Sequence, residues 1–440
     1  MKKVLIITYY WYPSGGSGVQ RWLKTTKYLP EFGWQPIVYT AENAEYPVLD
    51  YSLKDDINPN ILEIRQPIKE PYNAYKKLFK RGEKENVKSG FIKKENESSF
   101  QKIKNNIAIW IRGNFFIPDA RYLWIKPSVK YLSEYLKNNK VDAIISTGPP
   151  HSMHVIAMKL RKTFNIPWIA DFRDPWTGID FYEQLKLTKL ADKKHHNLEK
   201  QVLQTADKIV TVSNSCAKSL EEICKKKVDV ITNGFDNIPE DTEKDDFYKN
   251  NFVISHIGVL PENRNAPKLW DALSELTAEN KNFNEKLKIE LIGHIDGVVI
   301  ENIKKLDLEK NLIITEYIPH NKVVSKQKMS SLLLLLINKT KDSKGILTGK
   351  LFEYLATFNP ILAIGPTDGD VANILSETNA GIIIDYENKD LMKKYILQVF
   401  NSYNNNDKAI KTENSELILK YSRKELTKQY SKLLDDIVRK

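Results

Sequence analysis

Thirteen short apolar runs constrain what this chain can fold into. They fall at 3–8, 35–40, 61–65, 141–147, 167–172, 207–213 and 228–232, then at 251–258, 287–293, 312–317, 330–337, 359–365 and 380–386. Within each run the apolar residues are continuous instead of alternating with polar ones. That pattern suits strands buried on both faces of a parallel sheet. The stretches between them, such as 184–206 and 264–280, are long enough for crossover helices. The fold class expected is therefore α/β. A chain of 440 residues also exceeds the ~250–300 at which one hydrophobic core stops growing. The β/α series breaks at the polar, acidic stretch "IPEDTEKDDFYKNN" (238–251), the composition of a domain joint. Two doubly wound, Rossmann-like domains follow, 1–232 and 233–412, with a cleft between them, and residues 413–440 are expected to form a helix packing back on the first domain.

The charge is uneven. The net charge is +11, and residues 69–112 hold twelve Lys/Arg against five Asp/Glu. This segment interrupts the first domain and has little strand signal. It mixes Lys76, Lys77, Lys80 and Arg81 with Trp110, Phe115 and Phe116. One reading is a solvated helical insertion whose apolar face packs on its own domain. The other is contact with an anionic membrane surface or a lipid-linked substrate, which basic amphipathic segments with aromatic residues bind. Nucleic acid is not expected, because no recognised binding module is present. Cys216 and Cys224 have neither a disulfide framework nor zinc spacing around them. The apolar stretch at the N-terminus is too short and too aromatic for a signal-peptide core. The longest bare apolar run, "LLLLLI" (332–337), falls far short of the ~20 residues a bilayer needs. The expectation is a cytoplasmic protein, or one peripheral at the inner face of the membrane.

Several motifs carry chemistry. After the first run the chain enters "TYYWYPSGGSGVQRW" (8–22), with Gly15, Gly16 and Gly18. In an open α/β sheet, ligands bind beyond the carboxyl ends of the strands, and glycines there let backbone N–H groups approach a phosphate or sugar. The helix that follows adds its positive end. In the second domain, "KGILTGKLFEYLATFNPILAIG" (344–365) reads as a helix from Gly349, with Leu351, Leu355 and Phe358 on one face and Lys350, Glu353 and Thr357 on another. Glu353 then suits ribose hydroxyls, and the N–H groups of Thr348, Gly349 and Lys350 suit a diphosphate. "TGK" is not a Walker A loop. Asp171, Arg173 and Asp174 follow a buried strand and are placed for contact with an acceptor; an Asp–Arg ion pair anchoring the loop is the other reading. His151 and His154 in "PPHSMH" are acceptor-side candidates or helix-start hydrogen-bonding residues. His195 and His196 are assigned to a solvated helix without a role.

Together these residues resemble a known family. The "GGSGVQR" loop, "TNGFD" (232–236), "HIGVLPENR" (256–264), "YIPHNKV" (317–323) and the "GKLFEYLATFNPILAIG" block, in that order and spacing, are similar to glycosyltransferase family 4, enzymes of the GT-B fold. "STGPPHSMH" and "IPWIADFRDPW" resemble the variant of the family found among bacterial surface-polysaccharide enzymes. The resemblance implies sugar transfer from a nucleotide diphosphate sugar, with retention, to a glycan or lipid-linked acceptor. It puts Glu353 on the nucleotide ribose and Arg264 on the diphosphate, and places Tyr317 and Ile318 where base recognition uses backbone groups. Two positions depart from the family: Gly345 stands where many members have an acidic residue on the donor sugar, and Val259 replaces the first of a basic pair, a charge Lys350 is suited to supply. No cofactor is expected, and no metal, since Arg264, Lys350 and helix N-termini provide charge and no Asp-x-Asp triplet is present. A non-hydrolysing nucleotide-sugar 2-epimerase and a non-catalytic subunit of the same fold remain alternatives; a nicotinamide enzyme is disfavoured by the lack of GxGxxG after the first strand.

Overall fold

A computed structural model describes residues 1–70, 99–179, 181–236, 238, 245–316, 318, 320–340, 343–405 and 415–439. Most of the basic segment, 71–98, and the candidate Tyr317 lie outside the described residues. The chain divides into two units, one of residues 1–232 with 423–440 and one of 233–422.

In the first unit the described residues form a seven-stranded parallel sheet. Its strands are β1 (Lys2–Ile7), β2 (Trp34–Ala41), β3 (Leu62–Gln66), β4 (Ala143–Gly148), β5 (Trp168–Phe172), β6 (Lys208–Thr211) and β7 (Asp229–Val230), in the order β3-β2-β1-β4-β5-β6-β7. The second unit holds a six-stranded parallel sheet of β8 (Phe252–Ile257), β9 (Leu287–Ile292), β10 (Leu312–Thr315), β11 (Leu332–Leu336), β12 (Ile361–Ile364) and β13 (Gly381–Ile384), ordered β10-β9-β8-β11-β12-β13. All thirteen apolar runs are strands. In both sheets the strand order reverses beside the first strand, between β1 and β4 and between β8 and β11, which is where doubly wound folds bind ligands.

The continuous apolar runs are explained by burial on two faces. In β1, Leu5 and Ile7 pack with Tyr39, Trp124 and Trp168 on one side, while Val4 and Ile6 pack with Trp22, Trp34 and Leu434 on the other. In β11 and just beyond it, Leu332, Leu334 and Leu336 join the core with Trp270 and Phe283, and Leu333, Leu335 and Ile337 join that with Phe352 and Leu355. Each such side chain is worth ~1.5–3 kcal/mol when fully buried, so a helix presenting one stripe would leave half of this run unsatisfied.

The helix Arg423–Val438 belongs to the first unit, through buried Leu426, Tyr430 and Leu434. Helix Ser415–Leu419 belongs to the second unit, with Ile418 and Tyr421 in its core. Within the second unit, Phe235 bridges Ser422 in parallel, and its N–H donates to Tyr421 O at 3.2 Å.

A buried ion pair ties the first unit together. Asp171, near the carboxyl end of β5 and 0 % exposed, accepts from Arg21 Nη2 at 3.1 Å and Nε at 3.3 Å, Trp22 Nε1 at 2.7 Å, Thr147 Oγ1 at 2.8 Å and the Tyr430 hydroxyl at 2.8 Å. Burial opposes its ionisation, but the Arg21 charge and these donors hold the carboxyl below its usual pKa. Arg21 also donates to the carbonyls of Ile231 and Thr232, both at 2.7 Å. Replacing Arg21 by Leu leaves the carboxylate buried without its cation, a loss of ~3–5 kcal/mol, whereas Tyr430→Phe removes one hydroxyl and is expected to cost ~1–3 kcal/mol. Urea unfolding of the two variants should rank them in that order; equal midpoints would show that Arg21 does not carry the network.

Candidate functional site

The second unit brings cations to the point where its strand order reverses. Gly258 follows β8 with φ +122° and donates its N–H to Ile292 O at 2.6 Å. Only glycine takes this backbone conformation without strain. It also leaves room: a Cβ there would lie 2.4 Å from Lys350 Nζ. Lys350 therefore reaches from the start of helix Gly349–Thr357, which follows β11, onto the turn after β8. Burial, the neighbouring Arg264 charge and, in the opposite sense, Glu353 bring its amine down to about 8. Arg264 ends the short 3-10 turn Glu262–Arg264 and donates through Nε to Asn338 Oδ1, so it too spans from the β8 loop to the β11 loop. Burial lowers its pKa. Beneath them, His256 is 1 % exposed and pushed down to about 3 by burial and by Lys350, which keeps it neutral.

The helix start itself is prepared for negative charge. Thr348 is the N-cap, yet its side chain caps nothing, and its buried Oγ1 has no hydrogen-bond partner. No acidic residue stands in the first turn. Helix N-termini carry about half a positive charge, so a lysine there is unfavourable unless an anion joins it. Glu353, three residues after Lys350, shares its helix face; it is half-buried and accepts from Gln327 Nε2 at 3.2 Å. Thr357, expected on that polar face, is instead buried and donates to Tyr354 O at 2.7 Å. Val259 is 54 % exposed beside Gly258, so the position that departs from the family pattern presents an apolar side chain at the mouth of the site. Gly345 ends the turn Ser343–Gly345, and Ile318 lies half-buried in the loop after β10.

In the first unit, the glycine loop and the loops after β4 and β5 meet. Gly16, at φ 84°, is the N-cap of helix Ser17–Tyr28 and offers it no side-chain cap. Arg173 donates to Gly18 O through Nη1 at 2.6 Å, to Pro149 O through Nη2 and, through its backbone N–H, to Gly148 O at 2.9 Å. It also lies over the Tyr10 ring. Arg173 thus clasps the β1 loop to the β4 loop. Of the three candidates after β5, Asp174 is exposed beside Arg173, while Asp171 points into the core and pairs with Arg21. The Asp–Arg anchor is real, but its arginine comes from the first helix.

His151 and His154 come together, with ring centroids 5.7 Å apart. His151 stacks on Trp176 at 4.8 Å and His154 on Phe172 at 4.3 Å. Ser146 Oγ sits 2.8 Å from His154 Nδ1 and accepts from Trp168 Nε1 at 2.9 Å. Burial lowers the pKa of both imidazoles, His154 to about 3, so both are neutral. His151 is the N-cap of helix Ser152–Phe164 but its side chain caps nothing; Asp119 instead accepts from Ser152 N–H and Oγ, each at 2.8 Å. The assignment of His195 to a solvated face is corrected. It is 3 % exposed, receives Trp176 Nε1 at 3.1 Å and lies 3.2 Å from Gly113 O. Its partners come from two separate segments, so helical spacing alone did not reveal them.

Comparison with known proteins agrees with this architecture. A family model described as Glycosyltransferase Family 4 matches residues 93–237. No curated protein matches the chain by sequence. Among solved structures, a glycosyltransferase from Rickettsia africae gives a TM-score of 0.63 at 15% identity, covering 100% of this chain and 99% of that one. Anabaena HepE, solved with UDP-glucose, gives 0.60 at 12% identity over 99% of this chain and 100% of its own. S. aureus TarM, solved with UDP and a GlcNAc-glycerol, gives 0.58 at 12% identity over 99% and 100%. The chain has the GT-B fold, and over residues 93–237 it is similar to glycosyltransferase family 4.

Proposed function

We propose that this protein transfers a sugar from a nucleoside diphosphate sugar to a glycan or lipid-linked acceptor, with retention at the anomeric carbon, in surface-polysaccharide assembly. The observation that carries the reading is the cationic site at the reversal of the second sheet. Lys350 over Gly258, Arg264 beside it, and an uncapped helix start with an unpartnered Thr348 Oγ1 form a diphosphate site by the chemistry of their donors. Glu353 on the same helix face is assigned to the ribose hydroxyls. UDP complexes of two proteins of this fold, HepE and TarM, make UDP sugars the first donors to test. Retention, the glycan acceptor and the polysaccharide role rest on the family resemblance.

Sugar transfer leaves charge on the departing diphosphate, and fixed cations in a poorly hydrated site stabilise that charge as it develops. Lys350 and Arg264 supply it from this chain's own residues, so activity should survive a chelator; loss of turnover with chelator, restored by a divalent ion, would refute the metal-independent reading. In the first unit, Arg173 acts on the glycine loop through its carbonyl contacts, and His151, His154 and Asp174 are proposed for the acceptor side.

Three measurements test the donor site. Because burial and the Arg264 charge bring the Lys350 amine down to about 8, affinity for a UDP sugar, whose diphosphate has no ionisation near neutral pH, should be flat below about pH 7 and weaken toward tenfold per unit above about pH 8 as the amine loses its proton. Lys350→Arg should flatten that profile; an unmodified protein whose affinity ignores pH between about 7 and 9 would take Lys350 out of the site. Gly258→Ala puts a methyl where the amine lies and forces a backbone conformation that L residues avoid, so UDP affinity by calorimetry should fall at least about tenfold. Glu353→Ala should weaken UDP binding by ~1.5–3 kcal/mol with the melting temperature of the free protein kept. An unchanged dissociation constant would remove Glu353 from the ribose.

A further inference from the structure

Arg264 is held by a partner unlike those of the cations near it. On the loop after β11, Lys339 Nζ meets Glu387 at 2.9 Å and Lys344 Nζ meets Asp368 at 2.5 Å. Arg264 has no carboxylate against it among the described residues, and its side chain makes one hydrogen bond there, from Nε to Asn338 Oδ1. A guanidinium has five N–H donors in a rigid fork, and this bond uses the one on Nε. Among the described residues both Nη groups are left without a partner. Asn338 is itself fixed from several sides. It follows buried Ile337, whose N–H donates to Ile364 O of β12 at 3.0 Å. Its own carbonyl accepts from Thr340 N–H at 3.1 Å and from the Tyr386 hydroxyl, beyond β13, at 3.0 Å.

We propose that Asn338 is a positioning residue of the donor site: it aims Arg264 at the diphosphate with both Nη groups free, and as a neutral amide it leaves the guanidinium its whole charge. The inference rests on the donor site proposed above and adds the residue that orients its arginine. A carboxylate at position 338 would offer Nε the same oxygen but would answer the charge, as Glu387 and Asp368 do for Lys339 and Lys344. An apolar residue would keep the charge and release the side chain, whose rotamer freedom is then lost again when the anion binds. An amide held by β12 and by Tyr386 avoids both penalties. Burial already disfavours the charge of Arg264, so a bound anion is the group that completes it.

The test is calorimetric titration of UDP and of GDP, at one pH, into the unmodified protein and into Asn338→Asp, Asn338→Ala and Tyr386→Phe. Arg264→Ala, alone and combined with Asn338→Ala, completes the set. Asn338→Asp keeps the acceptor oxygen and adds an ion pair, so the melting temperature of the free protein should hold or rise while nucleotide affinity falls at least about tenfold. A residue that merely braced the loop would not separate the two in this way. Asn338→Ala should lose about fivefold to tenfold in affinity, and Tyr386→Phe, which leaves the carbonyl to Thr340 alone, about threefold. In the Arg264→Ala background, Asn338→Ala should change affinity by less than about twofold, because a residue that acts through another then has nothing to act on. The inference is overturned if Asn338→Asp binds as tightly as the parent, or if Asn338→Ala costs as much without Arg264 as with it. Should Asn338→Asp not fold, the cycle between Asn338→Ala and Arg264→Ala decides alone. A parent that binds neither nucleotide removes the donor site and this inference with it, whereas a parent that binds and variants that all match it strike out Asn338 and leave the donor site standing.

Discussion

The first unit depends on one buried charge pair. Arg21 and Asp171 are 150 positions apart, and both are removed from water. Neither tolerates that alone, since an unpaired ion in the interior costs several kcal/mol. The pair is tolerated because every face of it is answered. Trp22, Thr147 and Tyr430 complete the carboxylate, and the Ile231 and Thr232 carbonyls complete the guanidinium. The consequence reaches beyond β5. Residues 231–232 are where the chain leaves this unit, and Tyr430 stands on the helix with which it returns. One guanidinium thereby ties the exit, the re-entry and β5 to the helix that begins at the glycine loop. Arg173 holds the start of the same helix through Gly18 O.

The second unit keeps its charge in the opposite condition. Burial and, after it, the Arg264 charge depress the Lys350 pKa, at a helix end that is itself positive and whose N-cap hydroxyl, Thr348 Oγ1, is buried without a partner. Such a site is electrostatically incomplete without an anion. Its geometry is supported by apolar layers on both sides of β11 and by Gly258, the residue whose missing side chain admits the amine. The neutral His256 underneath adds no further repulsion. This unsatisfied arrangement is what makes the donor side the best-defined part of the proposed chemistry, whereas on the acceptor side the imidazoles of His151 and His154 are stacked, neutral and partly bonded within the unit.

The fold was legible because its signal is local. A run such as Leu332–Ile337 is apolar at every position, which only a strand covered on both faces can use, and thirteen such runs in a β/α rhythm admit few architectures. Lys350 and Glu353 were placed on one helix by local pattern, and the structure has them on helix Gly349–Thr357; Arg264 was singled out by the family resemblance alone. The misread positions lack such a local sign. His195 follows charged residues in a helical pattern, yet Trp176 and Gly113, distant in sequence, close over it. Thr357 was set on a polar face by helical spacing, but the core lies on that side too.

Local pattern was enough for the strands, the crossover helices and the glycine turns, because backbone geometry and burial on two faces act within a few residues. Long-range packing chose the partners. It gave Asp171 to Arg21 and not to Arg173, sent Lys350 across to Gly258 and set Arg264 on Asn338. Each of these outcomes depends on which segments the two sheets bring side by side, and contact between residues far apart in the chain leaves no periodicity in either of them.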